Sequence, residues 1–398
     1  MTEHLYYTDS FLREFDAQVV SCNPREDGWE VRLDRTAFYP TSGGQPYDTG
    51  RLGESQVSDV IEREEDREIL HIIDRPIPIG PVHGSIDWER RFDHIQQHTG
   101  QHLLSAAFLK LFSFPTVSFH LGREFSTIDL DAPNVVPRHL QEAADLVSRA
   151  VFDDRSITFS FHDRKELAGL GVRKAVEREG TLRIIEIEGF DLQPCGGTHA
   201  ARTGQVGPVA IRKVERQKQY WRLEFVCGGR ALRDAQADFE ALGAAARQIG
   251  CGMPEVPVMV ARLIEERKAA HRERVQLAGR LAELEANTLA AGGKRLVVHA
   301  FEQADAGFLR QVAALLVAGS GAEPGVRAVL ASRGTRQFVF AQDKKSAGDM
   351  GRLLAETLSA AGGKGGGSRD FAQGTVPESA NIDEILARAR ELLNRETG

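Results

Sequence analysis

The sequence lacks the features that mark secreted and membrane-spanning proteins. Its 398 residues include only 4 cysteines, which are widely spread and do not fit the disulfide framework of a small secreted protein. The amino-terminal run MTEHLYYTDSFLREF is acidic and has no apolar core, so we expect no signal peptide. No stretch approaches ~18 consecutive apolar residues, so we expect no membrane span and a cytoplasmic protein.

Positive charge is also scarce for a nucleic-acid-binding protein. Lysine and arginine number 50 against 57 aspartates and glutamates, which gives a net charge of −7. Any RNA surface must therefore be a local basic patch. Arg212, Lys213, Arg216 and Lys218 crowd one hairpin and offer such a patch for an acceptor-stem phosphate. A solvated hairpin is the alternative interpretation.

Two common catalytic motifs are absent. The glycine run GGKGGG is followed by no GK[ST] at the correct spacing, so it is not a phosphate-binding P-loop. The pair of histidines in QHTGQHLLSAAF lacks the glutamate of HExxH, which disfavours a metalloprotease of that type.

Four other residues do form a metal-binding pattern. His98 and His102 are spaced i, i+4, and so are Cys195 and His199 in CGGTHA. On a helix this spacing places both side chains on one face, one turn apart. Three imidazoles and one thiolate suit a tetrahedral zinc site, so we predict Zn²⁺ as the cofactor. The alternative is a set of buried structural histidines and a small buried cysteine.

The periodicity predicts an α+β protein in four parts. Residues 1–90 contain short, regularly spaced strands, which favours a small β-barrel or sandwich. Residues 91–231 open with an amphipathic helix over 91–112 and continue as mixed α/β, with a short helix in RKELAGLGV. Residues 232–291 read as a helical spacer, and residues 292–398 alternate strands with helices.

The helical spacer carries a hydrophobic seam. From Val260 to Leu284 apolar residues recur with 4–3 spacing, interrupted by Arg267 and Arg274. Such a seam fits an intramolecular antiparallel hairpin or a homodimeric coiled coil.

Two glycine-rich runs offer binding functions. In DRTAFYPTSGGQPYDTG, Gly43 and Gly44 permit close approach to a ligand or strand, or form a bulge beside core aromatic residues. The run GGKGGG is either a flexible linker or a nest of N–H groups that cradles a phosphate beside Lys364.

Taken together, the sequence motifs around these residues resemble those of a known family. HTGQHLLS followed by QPCGGTHA resembles the editing domain of alanyl-tRNA synthetases and of the freestanding AlaX proteins, over about Thr36 to Gly229. The family usually reads HTAxHLL, so Gly100 replaces an alanine. GGKGGGSRDFAQG resembles the DHH-associated domain that ends alanyl-tRNA synthetases. Nearly the whole chain is therefore similar to long-form AlaX.

The resemblance implies a function and a set of site residues. It implies a zinc-dependent hydrolase that deacylates mischarged Ser-tRNA(Ala) and, as a second substrate, Gly-tRNA(Ala), with tRNA(Ala) as partner. The implied metal ligands, which act through bound metal and water, are His98, His102, Cys195 and His199. The implied substrate-binding residues are Thr36, Thr41 and Gln45, with Ser42 as an alternative, and the implied RNA-binding residues are Lys364, Gly365 and Gly366. A homodimer would form through the helical spacer or the carboxy-terminal domain.

Other functions stay open at this point. One is a non-catalytic tRNA-binding protein with a structural zinc, and another is an editor of a different mischarged tRNA such as Ser-tRNA(Thr). Asp93 and His94 do not make a DHH motif, and no stretch could carry a synthetase ATP site. We therefore expect a protein that edits but does not aminoacylate.

Overall fold

The computed structural model describes residues 2–163, 180–291, 293–319 and 325–395. The chain divides into two compact units, Met1–Ala245 and Ala246–Gly398. Each unit mixes strands and helices, so the predicted α+β class is confirmed. The helix predicted in RKELAGLGV lies outside the described residues, and the division into four domains stays a prediction.

A small β-barrel precedes the first helix, as the strand pattern predicted. The strands of this part are β1 (Glu3–His4), β2 (Glu14–Arg25), β3 (Gly28–Leu33), β4 (Arg35–Thr36), β5 (Gly50–Leu52), β6 (Ser55–Glu62), β7 (Ile69–Ile73) and β8 (Gly80–Ile86). Six of them close in the order β2-β3-β7-β6-β5-β8, while β1 and β4 pair in parallel. Phe15, Ala17 and Val19 alternate inward along β2 and help to fill the barrel.

Helix α1 (Trp88–Phe112) follows the barrel and is the centre of the first unit. It begins where the Asp87 side chain accepts a hydrogen bond from the Arg90 backbone N–H, an N-cap. The predicted amphipathic stripe is wrong in one respect: nearly every residue between His94 and Phe108 is buried, whichever way it faces. Leu111, an apolar residue of the helix predicted over 91–112, is 41% exposed instead. A helix enclosed on all sides must bury its polar groups, so these need partners.

Two sheets and a second helix enclose α1. The elements that follow it are β9 (Thr116–Leu121), β10 (Ser126–Leu130), α2 (Pro137–Phe152), β11 (Ile157–Asp163), β12 (Thr181–Ile187), β13 (Asp191–Pro194), β14 (Val209–Gln217) and β15 (Tyr220–Cys227). One antiparallel sheet has the order β14-β15-β10-β9 and the other β11-β12-β13. Strand β13 leads straight into the CGGTH segment, which is a loop. The helical geometry expected for an i, i+4 pair therefore does not apply to Cys195 and His199.

The second unit is a five-stranded sheet covered by helices. After α3 (Gly228–Ile249) come α4 (Val256–Ala290), β16 (Leu296–Phe301), α5 (Ala306–Ala318), β17 (Arg327–Ser332), β18 (Gln337–Gln342), α6 (Met350–Ser359), β19 (Lys364–Gly367), β20 (Phe371–Thr375) and α7 (Ile382–Arg395). The sheet order is β16-β17-β18-β20-β19. The predicted alternation of strands and helices is present. Across the described residues, no helix combines the length and apolar content that crossing a bilayer requires.

The glycine run of the second unit is an edge strand. A side chain on Gly365 would lie 2.5 Å from Leu354 Cδ2 of α6, and one on Gly367 would lie 2.2 Å from the Phe371 carbonyl oxygen. Glycine is therefore required here because helix and neighbouring strand approach closely. Lys364, Gly365 and Gly366 are exposed, and their RNA-binding role stays a prediction.

The seam predicted on α4 is open to solvent. Leu277, Leu281 and Leu284 are all at least half exposed, whereas the residues that α4 buries near its end are Ala282, Ala286 and Ala290. Within the part of the chain that the structure describes, nothing covers the seam. A homodimer through it stays a prediction.

A close contact explains why residue 100 is glycine, and it leads to a first prediction. A methyl group there would lie 2.2 Å from Cys227 Sγ, so we expect Gly100→Ala to cost about 1–3 kcal/mol despite its better helix propensity. All 3 tryptophans, Trp29, Trp88 and Trp221, lie in the first unit, so their fluorescence reports its unfolding alone. The melting midpoint should fall by about 5 °C.

The matched control for that substitution is the double variant. Removing the sulfur in Gly100→Ala/Cys227→Ala leaves the added methyl 3.4 Å from the remaining Cβ, an ordinary contact. The midpoint should then recover most of the loss. If the single variant melts like the parent chain, the close contact at Cys227 does not explain this glycine.

Candidate metal centre

The four predicted metal ligands converge on one point. One donor atom from each of His98, His102, Cys195 and His199 lies within 4.8 Å of every other. The first two come from α1 and the last two from the loop after β13, which confirms that the distant segments meet. The three imidazoles are buried, and Cys195 keeps partial exposure.

The spacing of the donor atoms fits a zinc ion. His98 Nε2 lies 3.4 Å and His199 Nε2 lies 3.3 Å from Cys195 Sγ. A tetrahedron with Zn–N near 2.1 Å and Zn–S near 2.3 Å has N···S edges of about 3.5 Å. The donor set and these two distances are therefore compatible with a zinc ion.

The outward-facing nitrogen of each ring has its own partner. The distances from Nδ1 are 2.7 Å to Gln45 Oε1 for His98, 3.1 Å to Asp191 Oδ2 for His102, and 3.3 Å to Thr99 Oγ1 for His199. Hydrogen bonds of this kind fix the tautomer and orientation of a metal-binding histidine. All three rings thus present Nε2 for coordination.

The electrostatics favour a thiolate. Burial alone raises the pKa of the Cys195 thiol, but the His98 and His199 imidazoles bring that pKa well below its ordinary value. Burial lowers the pKa of His199 to about 3, so this ring is neutral. Burial alone would lower the pKa of His102, but the hydrogen bond to Asp191 raises that pKa to about 9. A metal ion would displace that remaining proton, since ligands must be deprotonated.

The loop that carries Cys195 is held by an arginine. Arg183 Nη1 donates to the carbonyl oxygens of Cys195 and Gly197, at 3.1 and 2.8 Å, and its Nε donates to Tyr7 O. A side chain at Gly197 would lie 2.1 Å from His98 Cε1, so glycine is needed for the loop to reach the helix. Gly197 of CGGTH therefore serves the close approach of the loop to α1.

A buried ion pair joins the glycine motif of the barrel segment to α1. Arg91 Nε donates to both carboxylate oxygens of Asp48 at 3.0 Å, and both side chains are fully buried. Arg91 also donates to the carbonyl oxygens of Ser10 and Ala37, while Asp48 accepts from the Tyr39 N–H. This network places Gln45 beside His98.

A cavity of about 370 Å³ opens beside the donor cluster. Its lining includes His98, His102, Cys195 and the predicted alternative Ser42. Thr36 is buried elsewhere, with its hydroxyl 2.8 Å from His71 Nε2. Thr41 is exposed and accepts from the Tyr47 N–H, while Gln45 contacts His98. The substrate-binding roles given to Thr36, Thr41 and Gln45 stay predictions.

Two of the four cations of the basic hairpin are paired with carboxylates. Arg212 Nη1 lies 2.7 Å from Asp238 Oδ2, and Lys213 Nζ lies 2.6 Å from Glu215 Oε2. Charges paired in this way are less available to phosphate, which favours a solvated hairpin over an RNA contact.

Sequence reasoning missed most residues that support the cluster. Asp191 and Arg183 lie outside the quoted motifs, and Thr99 lies inside HTGQHLLS but was given no role. The sequence signal for Asp191 is its even spacing from Cys195 along a strand. On an extended segment, residues 191, 193 and 195 share one face.

Comparisons with known proteins agree with this arrangement. Residues 182–224 match the threonyl and alanyl tRNA synthetase second additional domain, and residues 293–395 match the DHHA1 domain. The chain is 31% identical to alanyl-tRNA editing protein AlaX-L of Pyrococcus horikoshii, over 99% of this chain and 98% of that protein. It is 28% identical to alanyl-tRNA editing protein Aarsd1 of Mus musculus, over 98% of both chains. It is also 31% identical to alanine–tRNA ligase of Pyrococcus abyssi, over 98% of this chain and 44% of that protein.

Proposed function

Since this chain belongs to the family of alanyl-tRNA editing proteins, we propose that it clears mischarged tRNA(Ala) in trans, with Ser-tRNA(Ala) as the main substrate and Gly-tRNA(Ala) as a second. It is an aminoacyl-tRNA deacylase, a hydrolase of the ester between amino acid and tRNA. The observation that carries the proposal is a cluster of three imidazoles and one thiol, able to hold a metal ion, at the wall of a cavity. Hydrolysis of charged tRNA is needed where translation takes place, which supports a cytoplasmic location.

The chain's own residues hold and orient the site. His98, His102, Cys195 and His199 would hold zinc, and Gln45 and Asp191 fix two of the rings. Lewis acidity is the chemistry that bound zinc supplies, because it polarises a carbonyl and makes water more acidic. An aminoacyl ester is already activated, so positioning a water and the carbonyl does most of what hydrolysis requires.

The need for such an enzyme follows from the limits of a small apolar pocket. A site built for alanine cannot strongly reject serine, which merely adds a hydroxyl, and one methylene is worth only about 1–3 kcal/mol against glycine. A separate site that hydrogen-bonds the serine hydroxyl can reject alanine, because alanine would leave its polar groups unpaired. The polar cavity wall suits that task.

The second unit would contribute tRNA affinity. Its match to the DHHA1 domain supports contacts to tRNA, and Lys364, Gly365 and Gly366 are our candidates on the exposed edge strand. An extended glycine strand admits a phosphate backbone closely because it has no side chains in the way.

A second function has one observation in its favour. Four protein ligands complete a tetrahedral shell, which is typical of structural zinc. A non-catalytic tRNA-binding protein with structural zinc would bind tRNA without turnover. Partial exposure of Cys195 to the cavity favours the catalytic assignment, because one ligand then remains open to the substrate side.

Deacylation of defined substrates tests the proposal. Metal-replete protein should release labelled serine from Ser-tRNA(Ala) and spare Ala-tRNA(Ala), while His102→Ala should be inactive. The matched control is His120→Ala, which changes an exposed histidine outside the cluster and should retain activity. Swapping in Ser-tRNA(Thr) tests whether the tRNA body matters. If the protein binds tRNA but releases no serine, the non-catalytic function with a structural zinc replaces the proposal.

A further inference from the structure

Strand β13 points one row of side chains at the metal centre. Successive residues of a strand face opposite sides, so residues 191, 193 and 195 lie on the same side. Asp191 contacts His102 and Cys195 belongs to the donor cluster, which identifies that side as the one facing the site. Gln193 lies between them and lines the cavity.

The side-chain oxygen of Gln193 has no partner among the residues that the structure describes. Gln193 itself is 9% exposed. Buried amide oxygens are nearly always paired, so an unpaired one on a cavity wall indicates a ligand group as its partner. Gln193 thus keeps hydrogen-bonding capacity for something that enters the cavity.

Other polar groups on the same wall are already engaged. Gln101 Nε2 donates to Ser105 Oγ at 2.7 Å, Ser118 Oγ donates to Asp129 Oδ2 at 2.6 Å, and Tyr39 donates to Ser42 O. Glu62, which also lines the cavity, is paired with Arg67 at 2.6 Å. Among the described side chains that line the cavity, Gln193 is the one whose buried oxygen is left without a partner.

We propose that Gln193 determines specificity by hydrogen-bonding the side-chain hydroxyl of the seryl group, an inference that rests on the proposed editing of Ser-tRNA(Ala). A glutamine amide offers an acceptor oxygen and an NH₂ donor group, and a hydroxyl can pair with either because it both donates and accepts. The α-ammonium of an aminoacyl ester has only donors. Glycine and alanine present no partner, so they leave the buried oxygen unpaired.

Binding of stable analogues tests this without requiring turnover. The probes are 3′-amino-3′-deoxyadenosine carrying serine, glycine or alanine in amide linkage, titrated calorimetrically into the zinc-loaded full chain. The parent chain should bind the seryl probe roughly 10- to 100-fold more tightly than the glycyl probe. In Gln193→Met this preference should vanish through loss of seryl affinity, with glycyl affinity changed less than about threefold.

Two measurements separate this role from a structural one. Metal content should be unchanged in Gln193→Met, and its melting midpoint should be equal or higher, because an unpaired buried oxygen has been removed. Gln141→Met, which alters an exposed glutamine on α2, is the matched control and should bind all probes like the parent chain.

Each contrary result has a distinct meaning. If the parent chain does not prefer the seryl probe, Gln193 does not read a hydroxyl on the amino acid. If Gln193→Met weakens seryl and glycyl probes equally, it contacts the ribose or backbone common to both, and the proposal is overturned. If seryl preference depends on Gln193 but Ser-tRNA(Ala) is not hydrolysed, the inference stands and the proposed function fails.

Discussion

Replacing Cys195 with alanine is expected to reduce both zinc retention and deacylation by about 10³-fold or more, because Lewis-acid stabilisation is worth several kcal/mol. The three remaining imidazoles lose the only anionic ligand of the set, and His98 and His199 lose the sulfur 3.4 and 3.3 Å away. Zinc content by elemental analysis and serine release from Ser-tRNA(Ala) give the two readouts. Cys251→Ala, at a half-buried cysteine of the second unit, is the matched control.

Replacing a residue that orients a histidine ligand should give a smaller loss of zinc affinity than replacing a ligand. Asp191→Asn retains all four ligands but weakens the hydrogen bond that orients His102, so zinc affinity should fall about 10- to 100-fold. Dialysis of the parent chain against a chelator should abolish deacylation, and added zinc should restore it. If Cys195→Ala is fully active without bound metal, zinc takes no part in the proposed chemistry. If the tryptophan fluorescence of Cys195→Ala instead shows that the first unit is unfolded, the metal has a structural role.

Arg91→Met is expected to cost the first unit about 3–5 kcal/mol, because it leaves the Asp48 carboxylate buried without its counter-charge. The carbonyl oxygens of Ser10 and Ala37 lose their donor as well. For a unit of this size the melting midpoint should fall by roughly 10 °C or more. Tryptophan fluorescence measures it, since all 3 tryptophans lie in that unit.

Two further variants sharpen that result. Arg91→Met/Asp48→Asn removes both charges, keeps an acceptor for the Tyr39 N–H, and should recover part of the loss. Arg138→Met, which breaks an exposed i, i+4 pair with Glu142, should leave the midpoint unchanged. Equal effects of the buried and exposed arginines would contradict the idea that Arg91 anchors the glycine motif.

The clustering of the four candidate metal ligands could be predicted because their signals are local. Each pair lies within five consecutive residues, and imidazole and thiolate have few other uses in such a pattern. The partners of the rings could not, because Gln45 and Asp191 are separated from their histidines by 53 and 89 residues. Their pairing depends on how the barrel, α1 and β13 are arranged, and no short motif encodes that.

The glycine-rich runs indicated where the backbone is closely approached but not which group approaches it. Its presence around Cys195 and after Lys364 signalled close approach, yet the approaching group is a histidine ring in one case and a leucine of α6 in the other. The enclosure of α1 was missed because its polar residues suggested a solvent face. In fact they pair internally, as Arg91 with Asp48 and His102 with Asp191 do.

The order of the ligands along the chain also matters during synthesis on the ribosome. The barrel strands end at Ile86, whereas the last ligand, His199, is translated more than a hundred residues later. Because domains generally fold as units while the chain emerges, the barrel can be complete before the donor cluster exists. If the cluster holds zinc as proposed, loading with the metal would be a late event in the maturation of the protein. A cell starved of the metal would accumulate folded but unloaded enzyme, and supplying zinc would activate it without new translation.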